Sequence, residues 1–129
     1  MKTLKSVSQQ EVLSVFNKSF SDYFVSLQLS EKQFFEKLIS NNIDFSLSVG
    51  AFENNKLVGF ILHGVNAKSV YNSGTGVIPK RRGFGLTIRM YKFILPILKS
   101  NQISKVVLEV ITENIQAIKS YKKVGFLTR

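Results

Sequence analysis

The hydrophobic periodicity of the chain changes near Ile43, and this change restricts the fold more than any other feature of the sequence. Before this point, apolar residues recur at the spacing of amphipathic helices. After it, they alternate with small or polar residues, as in strands. Because helix and strand patterns then alternate, we predict an α/β (α+β) fold whose twisted, mixed and mostly antiparallel sheet is flanked by helices.

Two helices are predicted before the change. The first spans Ser8 to Phe20, where Ser8 suits the helix start. The second follows Ser30, which opens a Ser-Glu-Lys-Gln capping box, and it ends at Asn41-Asn42. Its apolar face carries Phe34 and Phe35, which could border an acceptor site, although aromatic residues at helical spacing usually belong to the core.

Three strands are predicted next. The run from Phe45 to Ala51 and the run from Leu57 to Val65 should form an antiparallel hairpin, because the asparagines between them tolerate the positive φ of tight turns. A third strand should span Ser69 to Ile78. It contains Gly74 and Gly76, which weaken a strand unless it bulges or something approaches its backbone closely.

Helix and strand patterns alternate in the second half of the chain. A long apolar pattern predicts a buried helix from Phe84 to Lys99, which Pro96 should kink or end early. The run Lys105 to Ile111 predicts a central strand buried on both faces. Asn114 suits the N-cap of a last helix, which Gly125 would end.

Composition limits the chemistry. The chain has no Cys, which excludes disulfides and a cysteine nucleophile, and His63 is its only histidine, so we expect no metal site. The 129 residues suit one domain, and the absence of a signal peptide or an apolar span favours a soluble, cytoplasmic protein that does not bind a membrane. The net charge of +10 attracts anions, such as a nucleic acid, an anionic surface or a phosphorylated cofactor, or serves solubility alone.

The segment from Val77 to Thr87 joins the third strand to the following helix and has the composition of an anion site. The first turn of a helix presents unpaired N–H groups and a partial positive charge to phosphate oxygens. Gly83 and Gly85 let the backbone come close to a ligand, since a β-carbon would occupy the ligand's space. The attraction is increased by three neighbouring cations, which are Lys80, Arg81 and Arg82.

These residues resemble a known signature. The stretch Val77-x-Pro79-x-x-Arg82-Gly83-x-Gly85-x-Thr87 is similar to the acetyl-CoA signature of GNAT N-acetyltransferases, Arg/Gln-x-x-Gly-x-Gly/Ala. Thr87 departs from the usual Gly or Ala, and it should crowd the pyrophosphate slightly while its hydroxyl offers a compensating hydrogen bond. A second run, Leu108-Glu109-Val110 followed by Asn114-x-x-Ala117-x-x-x-Tyr121-x-x-x-Gly125-Phe126, resembles the family's later strand and helix.

The resemblance implies an acyl-CoA N-acyltransferase-like fold in which the strands ending near Val77 and Val110 splay apart. The pantetheine arm of acetyl-CoA would then bond to the backbone of the third strand, which would explain its glycines. The cofactor contacts expected from the resemblance are Thr75, Gly76, Val77, Arg82, Gly83, Phe84, Gly85, Leu86, Thr87 and Asn114.

The resemblance also implies the catalytic residues. Tyr121 would protonate the departing thiolate as general acid, unless it only packs in the fold. Glu109, in an otherwise apolar strand, would take a proton from the amine, unless it faces solvent or pairs with a lysine. Asn114 caps a helix, touches the cofactor arm, or does both. His63 could line the acceptor site, although a lone strand histidine is more often structural.

The function implied is acetyl transfer from acetyl-CoA to a primary amine of a small molecule or peptide, by direct attack and without a metal. The alternatives are a non-catalytic acyl-CoA-binding module and, with less support, a basic nucleic-acid-binding domain. Family members usually continue past Gly-Phe with two further strands, whereas this sequence stops at Arg129. We therefore expect a sheet without the C-terminal strand pair, whose edge a second copy could cover as a homodimer.

Overall fold

The computed structural model describes residues 1–21 and 28–107. Within these ranges, five strands form one sheet in the order β1-β2-β3-β4-β5, and only the β4–β5 pair is parallel. The elements are β1 (Lys2–Thr3), α1 (Gln9–Ser19), α2 (Glu31–Ser40), β2 (Val49–Glu53), β3 (Lys56–Asn66), β4 (Ser69–Val77), α3 (Leu86–Ser100) and β5 (Lys105–Val107). This arrangement confirms the predicted α/β fold class. Neither described stretch contains a helix with the length and hydropathy that a bilayer crossing requires.

Local hydrogen bonds start α1 and α2 where the sequence predicts. Ser8 Oγ accepts a bond of 3.2 Å from the N–H of Glu11. At α2, Ser30 Oγ accepts from the N–H of Gln33 at 3.2 Å, and the Gln33 side chain accepts from the N–H of Ser30 at 2.9 Å. These bonds satisfy backbone donors that the first turn of a helix leaves unpaired.

The hairpin between β2 and β3 is confirmed, but its first strand begins later than predicted. Asn54 and Asn55 have φ angles of 52° and 64°, as a tight two-residue hairpin turn requires. Phe45–Leu47 is a 3-10 turn instead of extended chain. Asp44 Oδ1 accepts from the N–H of Ser46 at 2.8 Å and stabilises this turn. The alternation of apolar residues there therefore does not reflect a strand, and the predicted start at Phe45 is wrong.

A β-bulge interrupts the pairing of β3 with β4. Leu62 lies opposite Gly74, whereas His63 lies opposite Asn72, so Ser73 is the extra residue. The Nδ2 of Asn41, at the end of α2, donates to the Ser73 hydroxyl at 3.1 Å and anchors the bulge. The bulge that the strand glycines suggested is therefore present beside Gly74.

Helix α3 continues through Pro96 to Ser100, so of the two predicted effects of Pro96, a kink or an early end, the early end is wrong. Pro96 is exposed, whereas its neighbours Ile94 and Leu98 are buried in the core and hold the last turn. In β5, Lys105 is exposed and the two valines that follow are only partly buried. The expected burial on both faces therefore does not hold at this end of the strand, and the remainder of the predicted strand lies outside the described residues.

Helices α1 and α3 pack on opposite faces of the sheet. A β-carbon at Gly59 would lie 3.5 Å from Met90 of α3, whereas the ring of the next residue, Phe60, stacks 5.7 Å from Phe16 of α1. Successive strand residues point to opposite faces, so these contacts place the two helices on different sides. Both helices contact β4, which leads into the turn before α3.

Candidate active site

The turn between β4 and α3 has an open backbone at the start of the helix. Gly83 and Gly85 have φ angles of +85° and +72°, which side-chain-bearing residues rarely adopt. Apart from its chain neighbours, a β-carbon built at either position would meet no atom of residues 1–21 and 28–107 within 4 Å. The predicted open approach to the turn is therefore present, and the positive φ angles give the glycines a second role that the sequence motif did not identify.

The first turn of α3 presents unpaired N–H groups. Its first helical bond runs from the N–H of Arg89 to the carbonyl of Gly85, at 3.1 Å. The N–H groups of Leu86, Thr87 and Ile88 consequently have no backbone acceptor within the described part of the chain. These donors and the positive end of the helix dipole form a site suited to an anion.

The cations of the turn have different environments. Arg81 forms an ion pair with Glu53, in the β2–β3 hairpin. The guanidinium of Arg82 donates to the carbonyl of Ser19 through Nη2 and to the carbonyl of Val77 through Nε, the latter at 3.2 Å. Lys80 is exposed. Two of the three side chains that the sequence assigned to anion attraction are thus engaged with the protein itself.

The end of β4 presents part of its backbone away from β3. The N–H of Ile78 donates to the carbonyl of Val58 at 3.0 Å, so Ile78 faces β3. Because backbone groups alternate between the two edges of an antiparallel strand, Gly76 also faces β3, whereas Thr75 and Val77 face the other edge. On that edge β5 pairs only with Ser69–Tyr71 among the residues described. The backbone groups expected to contact the cofactor arm are those of Thr75, Gly76 and Val77. Those of Thr75 and Val77 face the edge away from β3, whereas those of Gly76 face β3.

Phe84 and Thr87 occupy different positions at the turn. The side chain of Phe84 is 68% exposed and lines, with Arg89, a groove of about 420 Å³. Thr87 is half-buried in the first turn of α3, and Leu86 packs against the core. Of the predicted cofactor residues, Arg82–Gly85 are therefore exposed, whereas Leu86 and Thr87 are partly buried at the start of α3.

A buried polar network that the sequence analysis missed supports β4 from the α3 side. The Nδ2 of Asn72 donates to the hydroxyl of Tyr91 at 2.5 Å and to the hydroxyl of Thr75 at 2.6 Å. Tyr91 is fully buried. Asparagine is unfavourable in strands, and its presence inside the third strand was the one available signal. The network holds α3 against β4 just before the part of the strand to which the cofactor is predicted to bind.

His63 is a buried structural residue. Its side chain is 0% exposed, and its Nδ1 bonds to the carbonyl of Leu47 at 2.7 Å. Since a carbonyl only accepts, Nδ1 carries the proton, and Nε2 has no partner in the described chain. Burial lowers the pKa of His63 below its ordinary value of 6.5, and the bond to Leu47 opposes this shift. The structure thus favours the structural alternative for this residue.

The two phenylalanines of α2 have different environments. Phe34 is 1% exposed and lies 5.8 Å from the ring of Phe16, in the core. Phe35 is 49% exposed and borders a groove of about 290 Å³ between α1 and α2. Only Phe35 is therefore available to a molecule that approaches this face.

The remaining predicted site residues, Glu109, Asn114 and Tyr121, lie outside the described residues. The splaying of the strands near Val77 and Val110 falls partly in the same segment. Within residues 1–21 and 28–107, no group of three acidic or histidine side chains is arranged to hold a metal ion.

Comparisons with known proteins identify the fold. A ribosomal-protein-S18-alanine N-acetyltransferase from Escherichia coli is 20% identical over 94% of this chain and 74% of its own, with a TM-score of 0.72. A PaiA N-acetyltransferase from Thermoplasma acidophilum, solved with coenzyme A, is 19% identical over 93% of this chain and 84% of its own, with a TM-score of 0.73. At these sequence identities, the similarity establishes the fold.

One further structural neighbour and two sequence comparisons complete the set. An acetyltransferase from Bacillus anthracis, solved with acetyl-coenzyme A, is 27% identical over 62% of this chain and 47% of its own, with a TM-score of 0.56. A search of curated protein sequences finds no match. The sequence model of the acetyltransferase (GNAT) family matches residues 10–126, which is most of the chain. The chain therefore belongs to the GNAT acetyltransferase family.

Proposed function

We propose that the protein transfers the acetyl group of acetyl-CoA to a primary amine, and that the turn between β4 and α3 binds the pyrophosphate. The observation that carries this proposal is the set of N–H groups at Leu86, Thr87 and Ile88, which have no acceptor among the described residues, beside two glycines with positive φ. Membership of the family and the coenzyme A or acetyl-CoA held by two structural neighbours support it. The acceptor is an amine of a small molecule or a peptide.

The backbone of β4 would hold the rest of the cosubstrate. Thr75 directs its N–H and carbonyl, and Val77 its N–H, to the edge away from β3, where a pantetheine amide could pair with them as a strand would. The carbonyl of Val77 on this edge already accepts from Arg82 Nε at 3.2 Å. A backbone N–H at this edge would polarise the thioester carbonyl. The hydroxyl of Thr87, in the first turn of α3, would donate to a phosphate oxygen.

The chemistry requires two proton transfers. In the proposed reaction, Glu109 takes a proton from the amine, directly or through water, and the amine nitrogen attacks the thioester carbon. The carbon–sulfur bond then breaks, and Tyr121 gives its phenolic proton to the departing sulfur. Asn114 would contact the pantetheine arm. These three roles are proposed from the resemblance to family members.

Substitution at Gly85 tests the pyrophosphate site. Asn tolerates the left-handed conformation, whereas Val does not, so Gly85→Asn should fold like the wild type and Gly85→Val should lose roughly 1–2 kcal/mol of stability. Both should bind coenzyme A at least about tenfold more weakly in calorimetry, because the added side chain covers the N–H groups of the first turn. Ser100→Asn, at the opposite end of α3, is the control and should bind normally. Wild-type affinity in a folded Gly85→Asn variant would refute the site.

Substitution at Tyr121 tests catalysis separately from binding. Tyr121→Phe should keep the affinity for coenzyme A but lower turnover on the order of a hundredfold, because the departing thiolate loses its proton donor. The measurement is thiol release from acetyl-CoA with a panel of primary amines. Unchanged turnover would remove Tyr121 from the mechanism. Binding of acetyl-CoA without thiol release on any amine by the wild type would favour the acyl-CoA-binding module instead.

A further inference from the structure

Arg82 connects the turn to two other elements through its side chain. Its Nη2 donates to the carbonyl of Ser19, the last residue of α1, and its Nε donates to the carbonyl of Val77, the last residue of β4, at 3.2 Å. Its own N–H donates to the carbonyl of Pro79 at 3.3 Å. The backbone donor of Arg82 and at least two of its five guanidinium N–H donors are therefore bonded within the protein.

The end of α1 is a favourable place for this cation. Carbonyl groups in the last turn of a helix lack helical partners and carry partial negative charge, so a guanidinium there both bonds them and opposes the helix dipole. Ser19 is 1% exposed, and its hydroxyl donates to the carbonyl of Val15 at 2.7 Å. Its Cβ also packs beside Gly76, where an added β-carbon would lie only 2.9 Å away. Arg82 thus binds a helix end that is already seated against β4.

Arg81 provides a natural contrast. It carries the same charge one residue earlier, yet it pairs with Glu53 in the β2–β3 hairpin and has no described bond to α1. The two arginines connect the same turn to different elements, one to the hairpin and one to α1. The N–H groups at the start of α3 remain outside both sets of contacts.

We propose that Arg82 is a positioning residue that fixes the phosphate-binding turn and the end of β4 against α1, while the anion is held by backbone N–H groups and not by this guanidinium. The identity of the anion rests on the proposed function. The position of the start of α3 relative to the end of α1 is thereby fixed. Because an Arg in the GNAT signature could instead contact phosphate directly, the two roles must be separated by experiment.

Hydrogen exchange without any ligand tests the connection to α1. Arg82→Met keeps the aliphatic stem and removes the donors, so amides in the last turn of α1 should exchange roughly tenfold faster or more than in the wild type. Arg81→Met removes the same charge and should leave these amides unchanged. Equal exchange in wild type and Arg82→Met, or equal acceleration in both variants, would overturn the proposal. This comparison stays valid even if the wild type binds no coenzyme A, a result that would refute only the proposed function.

Calorimetry with coenzyme A tests whether the guanidinium contacts the ligand. Lysine binds phosphate well as a point charge but cannot bond the Ser19 and Val77 carbonyls together as the arginine fork does. Arg82→Lys and Arg82→Met should therefore show the same affinity for coenzyme A, within about threefold of each other. Wild-type affinity in Arg82→Lys together with a large loss in Arg82→Met would identify Arg82 as a phosphate ligand and overturn the proposal.

Discussion

A β-carbon at Gly76 would lie 2.7 Å from two ring atoms of Phe60 and 2.9 Å from Ser19, whereas at Gly74 the nearest side-chain atom is 3.8 Å away. The two glycines of β4 therefore differ at the scale of a single residue. Gly76 leaves room for an aromatic ring of the core, which is a packing reason and needs no ligand. The resemblance had suggested that both glycines serve the approach of a cofactor arm.

This difference predicts the effect of adding a methyl group. Gly76→Ala should lower the free energy of unfolding by about 1–3 kcal/mol, because the ring of Phe60 must move within a filled core. Gly74→Ala, two residues away in the same strand, should change it by less than about 1 kcal/mol. Urea unfolding measures both, and Gly76→Ala should cost less stability in a Phe60→Leu background than in the wild type, because the shorter side chain leaves room for the added methyl group. Equal destabilisation by the two alanines would contradict the packing explanation.

At the scale of elements, the sequence predicted what local interactions determine. The caps of α1 and α2 and the Asn54-Asn55 hairpin turn depend on residues within four positions of one another, so short patterns are enough to identify them. The errors arose where tertiary packing or a competing local bond prevailed. A side-chain bond from Asp44 stabilises a turn in place of a strand start, and core contacts carry α3 past Pro96.

The candidate site follows the same rule. The glycine turn before α3 was predicted, because its conformation and its open N–H groups are properties of consecutive residues. The partners of its arginines were not predicted, since Glu53 lies 28 positions from Arg81 and Ser19 lies 63 positions from Arg82. The Asn72–Tyr91 bond likewise joins residues 19 positions apart. No periodic pattern specifies such pairs, which depend on how the sheet and helices assemble.

At the scale of the whole molecule, His63 should make stability depend on pH. Burial holds its folded-state pKa below 6.5, the ordinary value that the unfolded chain retains. As pH falls below about 6.5, the unfolded state binds a proton that the folded state does not, so the free energy of unfolding decreases, by at most about 1.4 kcal/mol per pH unit. Above that pH the contribution is fully present.

Urea unfolding from pH 7.5 to 5 measures this effect. His63→Gln replaces the imidazole with a neutral amide, so the difference in unfolding free energy between wild type and variant should shrink or reverse as the solution is acidified. Carboxyl groups titrate in both proteins and cancel in the comparison. A constant difference between wild type and variant over this range would show that His63 does not account for the acid sensitivity.

The bulge at Ser73 also determines which changes in the length of β4 the fold can accommodate. Upstream of it, β4 directs Asn72 toward α3, and downstream it directs Gly74 and Gly76 toward α1, while Thr75 and Val77 turn their amides outward. Deleting Ser73 alone would leave all of these residues opposite their present β3 partners, whereas deleting Thr75 or Gly76 would move the residues on one side of the deletion to the opposite face of the sheet. A scan of single-residue deletions along β4 should therefore show that loss of Ser73 is tolerated better than loss of Thr75 or Gly76.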